Sequence, residues 1–249
     1  MRGTFLPMAR LPLLGTVINT ATVLVGSGLG LLVGAWVPEE AKPLTLSAIG
    51  IVTLVMGFKM AGRTKQILLA IACLVIGGLA GILLQIPQGV TALAETAKNL
   101  TGGGGRFNEG LITASVLFCI GPMTLLGCLE DGLEGKIEIL GLKSSLDLVA
   151  SFFLAVTLGP GVLASALVVL IFQGALTLGA RLLKPMAANQ SMMDETTGVG
   201  GLILVAIGLN LLDLKKIPTE AFLPALVLAP LGAGLIARFA KPTPEPEAA

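Results

Sequence analysis

The sequence predicts an all-α polytopic membrane protein of about eight transmembrane helices, in which helices one to three recur in inverted orientation as helices six to eight around a central pair, four and five. Three observations carry that reading. Nearly all of the 249 residues divide into apolar stretches of bilayer-spanning length, and a spanning helix needs about 20 mostly apolar residues because its backbone amides have no water to bond. Charged residues make up only 12% of the chain against 54% hydrophobic, where a soluble domain carries about 25% charged. Lys and Arg also segregate to one side when the connections are counted alternately.

The stretches run in order from Leu13 to Trp36, Leu44 to Ala61, Ile67 to Ile86, Leu111 to Leu129, Leu142 to Leu158, Val162 to Leu183, Val199 to Leu212 and Ala221 to Phe239. The first follows Arg2 and Arg10 and ends at an interfacial Trp36; it exceeds the apolar run of about 7–15 residues of a cleavable signal and reads as a retained helix. Its Gly26, Gly30 and Gly34, spaced by four, form a smooth ridge for close helix packing. The polar connection Pro87 to Asn108 spaces Val90, Leu93, Ala97 and Leu100 to suit a short surface-lying helix, and Glu130 to Gly141 reads as a cytoplasmic turn.

Two Gly-Pro steps punctuate the middle of the chain, Gly121-Pro122 within the fourth stretch and Gly159-Pro160 between the fifth and sixth. Proline removes an amide donor and clashes with the preceding turn. The first step is therefore either a functional break, whose freed carbonyls face an ion or solute, or an ordinary kink; the second reads as a plain turn. Residues 1–240 form one integral membrane domain on this reading, and residues 241–249, KPTPEPEAA, form a disordered cytoplasmic tail with nothing apolar to bury.

Charge sets orientation and narrows function. One side of an eight-helix arrangement holds Arg2, Arg10, Arg63, Lys65, Lys136, Lys143, Arg181, Lys184, Arg238 and Lys241, with Lys59 leaning the same way; the other holds Lys42, Lys98, Arg106, Lys215 and Lys216. Both termini are thus expected in the cytoplasm. A net charge of +1 gives no reason to expect nucleic acid as a partner. The chain has no His and no Tyr, which excludes imidazole catalysis and His-based metal sites. Cys73, Cys119 and Cys128 lie within spans at no zinc or redox spacing and read as small apolar packing residues. The expectation is a protein without cofactor or metal that is not an enzyme.

The repeat rests on an alignment of the segment from Ala48 with the segment from Val199, which superposes Gly50 on Gly201 and Gly57 on Gly208. The following helices then match Leu69, Leu74, Gly78 and Ile82 with Leu223, Leu228, Gly232 and Ile236. An offset of five helices reverses direction across the bilayer, as in the inverted repeats of secondary transporters.

Polar side chains inside the spans are the candidate ion- or solute-binding residues. Ser144, Asp147 and Ser151 share a helical face beside Lys143, and an ionised carboxylate in hydrocarbon costs at least about 2.5–3.5 kcal/mol, so such groups turn to the bundle interior and mark ion paths. Asp147 read as one turn from its helix end leaves a capping or snorkelling role open. Asp131, next to Glu130 at the end of the fourth helix, is either a pathway acid or a solvated turn acid; Asp194 and Glu195, before the seventh, suit the positive end of the helix dipole. Asn19, Gln173 and Asn210 are amides that coordinate a cation or solute, or else join helices by hydrogen bonds worth about 0.6 kcal/mol each.

The stretches GTVINTATVLVGSGLGLLVG, GLITASVLFCIGPMTLLGCLEDGL, KSSLDLVASFF and TTGVGGLILVAIGLNLLDLKKI resemble those of the domain of unknown function 554 (DUF 554) family, the YqgA/YdfK-like bacterial membrane proteins. The resemblance runs from Gly15 to about Ala237 and places the family's polar positions on Asn19, Asp131, Asp147, Glu195 and Asn210. It implies a polytopic protein of the bacterial inner membrane and supplies no substrate. The resulting expectation is a transporter or ion-coupled carrier of a small ion or solute, with a non-transporting membrane factor acting through protein partners as the alternative. An intramembrane aspartyl protease is a distant third, since the chain lacks the Tyr-Asp and Gly-x-Gly-Asp signatures of that class.

Overall fold

The computed structural model describes residues 13–38, 40–101, 106–119 and 122–239, and among these the regular structure is helical. In chain order the helices are α1 (Leu14–Gly34), α2 (Ala41–Ala61), α3 (Ile67–Leu83), α4 (Ile86–Thr101), α5 (Phe107–Cys119), α6 (Pro122–Glu134), α7 (Glu138–Leu158), α8 (Gly161–Leu178), α9 (Ala180–Ala187), α10 (Gln190–Leu211) and α11 (Leu223–Phe239), the last preceded by a 3-10 turn, Thr219–Phe222. Six helices are long and apolar enough to cross a membrane, and eight spans result when each of two bent pairs is taken as one. One bend, of 59°, separates α3 from the first turns of α4; the other, of 60°, separates α5 from α6. The eight apolar stretches of the sequence therefore reappear, with the third and fourth broken. Gly121 lies outside the described residues, while Pro122 opens α6. The disordered tail read at 241–249 also lies outside them.

Outward faces carry large apolar side chains such as Val17, Leu24, Val25 and Leu32 on α1 and Leu68, Ile71, Val75 and Leu79 on α3, each more than two-fifths exposed in the isolated chain. Inward faces carry the small and polar residues. This inversion of the soluble pattern is what a lipid solvent selects, because lipid tails offer apolar side chains no reason to cluster and helices associate through close backbone approach. The glycine ridge of α1 follows that logic. A Cβ at Gly26 or Gly30 would overlap the carbonyl oxygens of Leu148 and Phe152, and one at Gly34 would crowd Val156, so α1 lies directly on the backbone of α7.

Helix α1 also packs on α8, α2 lies along α10, α3 along α11, and α5 along α8. Along α2 and α10, Gly50 meets Leu212 and Gly201 meets Ala61, while Gly57 meets Val205 and Gly208 meets Leu54. In the alignment of Gly50 with Gly201, Leu212 is the equivalent of Ala61 and Val205 of Leu54, so each glycine sits against the counterpart of the residue its mate sits against.

Connections differ in detail from their expected bounds. Glu130 to Gly141 shrinks to Gly135–Ile137, because α6 continues to Glu134 and α7 begins at Glu138; Gly135 supplies the left-handed backbone (φ 66°) that reverses the chain. At Gly159-Pro160 the chain turns tightly, with Gly159 at φ 77° and Pro160 as the residue preceding α8, the plain turn anticipated. All three cysteines are buried and free.

Candidate functional site

The early start of α7 changes the position of Asp147. Counted from Glu138 it lies nine residues into a 21-residue helix, about 14 Å along the axis at 1.5 Å per residue, which is mid-helix and not a terminus. Its carboxylate does not cap α7. Instead, Oδ2 accepts a hydrogen bond of 3.0 Å from Asn19 Nδ2 of α1 and forms an ion pair with Lys143 Nζ, one helical turn earlier. Asn19 is fully buried, Asp147 is 7% exposed and Lys143 is 6% exposed. The Lys143 ammonium also lies over the Phe118 ring of α5, 5.9 Å from its centroid, beside the break between α5 and α6.

Polar groups continue along the same helix contact. Thr16, Asn19 and Ser27 on α1 and Ser144, Asp147 and Ser151 on α7 are all buried, forming a seam along the helix pair. Its hydroxyls bond backwards within their own helices, Ser144 to the Leu140 carbonyl at 2.7 Å and Ser151 to the Leu148 carbonyl at 3.0 Å. Toward the start of α1, Thr16 and Thr177 of α8 meet hydroxyl to hydroxyl at 3.2 Å. Gln173 stands one turn before Thr177 on the same face of α8; since α1 and α8 run antiparallel in an eight-span arrangement, it comes level with Thr20, next to Asn19. Gln173 is fully buried, and neither atom of its amide has a hydrogen-bond partner. The Asn19 Oδ1 atom is likewise unpartnered. Buried polar atoms are nearly always paired, so three orphans at one level mark a place where a water, ion or polar solute would be bound.

The remaining sequence candidates have other employment. Asp131 Oδ2 accepts the Gly15 amide at 3.0 Å, closing the first turn of α1, while its Oδ1 is unpartnered. Glu195, only 1% exposed, accepts the amides of Lys65 at 2.8 Å and Gln66 at 3.0 Å and the Thr64 hydroxyl; it caps the start of α3. Sequence alone suggested that this acid serves its own helix, but α10 begins at Gln190 and is capped by Asn189, which accepts the Met192 amide at 3.2 Å. Asn210 gives both ends of its amide to the backbone of Ile217, at 2.8 Å each, holding the connection to α11. The structure thus brings Asn19 and Asp147 together, buries Gln173 one turn from the Thr16–Thr177 contact, and gives Asp131, Glu195 and Asn210 partners elsewhere. Lys143, at an i,i+4 spacing to Asp147 within an apolar run, is the functional group that sequence reasoning underweighted.

Two cavities of about 660 Å³ each lie among the helices, one of them at the seam. One is apolar and lined by residues such as Leu111, Ser115 and Cys119 of α5, Leu125 of α6, Phe172 of α8 and Leu226 of α11. The other is a more polar vestibule at the far end of the seam, between Leu31 and Gly34 of α1, Ser47 of α2, Ala155 of α7, Arg106 and Asp213. Arg106 pairs there with Glu109 and lies 3.6 Å from Asp213. Asp147 lines neither cavity among the described residues. At the break itself, the carbonyl of Phe118 is partnered by the Thr124 hydroxyl at 3.1 Å, so that oxygen is already satisfied from across the bend.

The family model described as "Protein of unknown function (DUF554)" matches residues 14–233. The chain is 32% identical over 223 residues to the uncharacterized membrane protein YdfK of Bacillus subtilis (strain 168), covering 87% of this chain and 94% of that one. It is 31% identical over 234 residues to the uncharacterized protein YqgA of Escherichia coli (strain K12), covering 91% and 99% respectively. No solved structure matches. The chain is a member of the DUF554 family of polytopic membrane proteins.

Proposed function

We propose that this protein is a carrier, not an enzyme, moving a small ion or solute along the α1–α7 seam, with Asp147, Asn19 and Gln173 as the binding layer. The observation that carries this reading is the mid-helix Asp147, held by two movable side chains beside three orphaned polar atoms. A buried ion pair contributes little net stability against well-packed apolar residues, and intramembrane acids mark ion pathways. The reciprocal glycine contacts of α2 and α10, and the contact of each of α1, α2 and α3 with the helix the alignment assigns to it, support an inverted repeat. That architecture offers two alternating arrangements around one site. The polar vestibule supplies one approach to the seam.

The excess of Lys and Arg on one side supports an inner-membrane location with both termini cytoplasmic. Reporter fusions after Pro38 should then report the outside and those after Gly62 and Lys136 the inside; the opposite pattern would invert the arrangement. A second reading, a membrane factor working through protein partners, draws on Asp131 and Glu195, both of which act as helix caps.

Flux in proteoliposomes against a panel of monovalent cations, anions and small organic acids tests the carrier reading. Asp147→Asn should abolish the flux of whichever species moves. Because that change leaves the Lys143 ammonium buried without its partner, it will also destabilise the fold by about 3–5 kcal/mol. The double variant Lys143→Met/Asp147→Asn removes both charges and should remain folded without transporting. Transport at wild-type rate by a folded double variant would refute the proposal.

A further inference from the structure

Resting on the carrier reading, we infer that the ligand is a monovalent cation and that Lys143 is its tethered substitute, seated on Asp147 until the cation displaces it. The hydrogen bond to Asp147 orients the Asn19 amide. An ionised carboxylate accepts and cannot donate, so the amide nitrogen must face Asp147 and the oxygen must face away. The free atom of Asn19 is therefore an acceptor. Gln173 of α8 carries a second free amide oxygen, beside its own free amide nitrogen.

A carboxylate and two free amide oxygens, against one free amide nitrogen on Gln173, give these groups an excess of acceptors that suits a cation. An anion or neutral acid would face the carboxylate and find as donors only the neutral Gln173 amide nitrogen and Lys143, the latter already engaged. Divalent ions fit poorly for a different reason. They favour several carboxylates or retained waters, whereas the described residues contain no cluster of three or more metal-ligating acid, Cys or His side chains.

Lys143 occupies this site from a neighbouring turn of the same helix, which makes its ammonium an intramolecular competitor. The Phe118 ring lies against the ammonium while it is paired with Asp147, so a displaced ammonium that stays within reach of that face keeps a cation–π contact. One positive charge thus remains beside Asp147 in either condition, so a monovalent cation can exchange with Lys143 without leaving the carboxylate bare at mid-membrane. If the ammonium holds the carboxylate in all but about a tenth of molecules, it weakens the apparent cation affinity about tenfold.

The test compares purified wild type, Lys143→Met and Lys143→Met/Asp147→Asn in detergent, titrated with Na⁺, K⁺ and methylammonium, following the melting temperature and bound cation. Lys143→Met should be stabilised by at least one of the three, with an apparent Kd about tenfold or more below that of wild type. The double variant should melt normally and show no cation response. A Lys143→Met protein that responds no more than the double variant, or that fails to fold in any of the three salts, would overturn the inference, since a cation would then not replace the ammonium. The outcome is separable from the carrier reading. Cation binding by Lys143→Met without wild-type flux would leave the site and remove transport; Asp147-dependent flux without cation binding would leave transport and remove the exchange.

Discussion

Two buried carboxylates in this molecule are handled in opposite ways. Glu195 on α10 is surrounded by fixed donors, the amides of Lys65 and Gln66 and the Thr64 hydroxyl, at the start of α3. Asp147 on α7 is held by an amide side chain and an ammonium side chain, both able to rotate away. These backbone donors lie in the connection that leads into α3, so they cannot leave without rearranging the chain that starts the helix, and the Gln66 amide would otherwise have no intrahelical acceptor. Side-chain donors solve no such problem, because they are present only through the residues that carry them. An acid bound to backbone therefore belongs to the fold, whereas an acid bound to side chains at mid-helix is the one we propose for a ligand.

That contrast is sharpest when the two acids are neutralised side by side. Glu195→Gln keeps one acceptor oxygen but loses the charge that strengthens bonds to two amides; hydrogen bonds to charged groups contribute about 1.5–3 kcal/mol each, and the dipole of α3 adds about 0.3–1 kcal/mol. Its melting temperature should fall markedly while flux per folded molecule stays at the wild-type level. The neutral double variant at positions 143 and 147 should give the reverse, near-normal melting with no flux. If Glu195→Gln lost transport while keeping its stability, the division between the two acids would fail.

Which of these features can be read from sequence depends on which forces act locally. Spans are legible because the bilayer imposes a length and a polarity on each segment independently; the eight stretches correspond to α1, α2, α3, α5 with α6, α7, α8, α10 and α11. The ridge of Gly26, Gly30 and Gly34 was legible for the same reason, since close packing needs only small residues at a fixed spacing. Helix ends were less so. Placing the start of α7 at Leu142 rather than Glu138 put Asp147 near a terminus and kept a capping role open that its mid-helix position removes. Partners across the chain were not legible at all: Glu195 reaches 130 residues back to Lys65, and Asp131 reaches 116 back to Gly15. Asn210 looked like a buried ligand because it is an amide near the end of an apolar run, yet its partner is the backbone of Ile217, seven residues on, reached only because the chain reverses at Asp213 with φ 54°.

A smaller effect separates Glu195 from its own neighbour. Asp194 is also buried on its helix, at 8% side-chain exposure, but its partners are the Arg63 guanidinium at 3.8 Å and the Lys65 ammonium at 3.3 Å, which are 54% and 75% exposed. It also accepts the Gln190 amide at 2.8 Å. Ion pairs whose cations lie in water are worth about 0–1 kcal/mol, and an asparagine at 194 can still accept from Gln190. Asp194→Asn should therefore lower stability by no more than about 1 kcal/mol, with the loss shrinking as salt is raised because the surviving interaction is screened. Thermal melts of Asp194→Asn and Glu195→Gln at low and high salt would decide it. A large, salt-independent loss for Asp194→Asn would show that these cations are not water-exposed in the bilayer, and that the α2–α3 turn is clamped by both acids together and not by Glu195 alone.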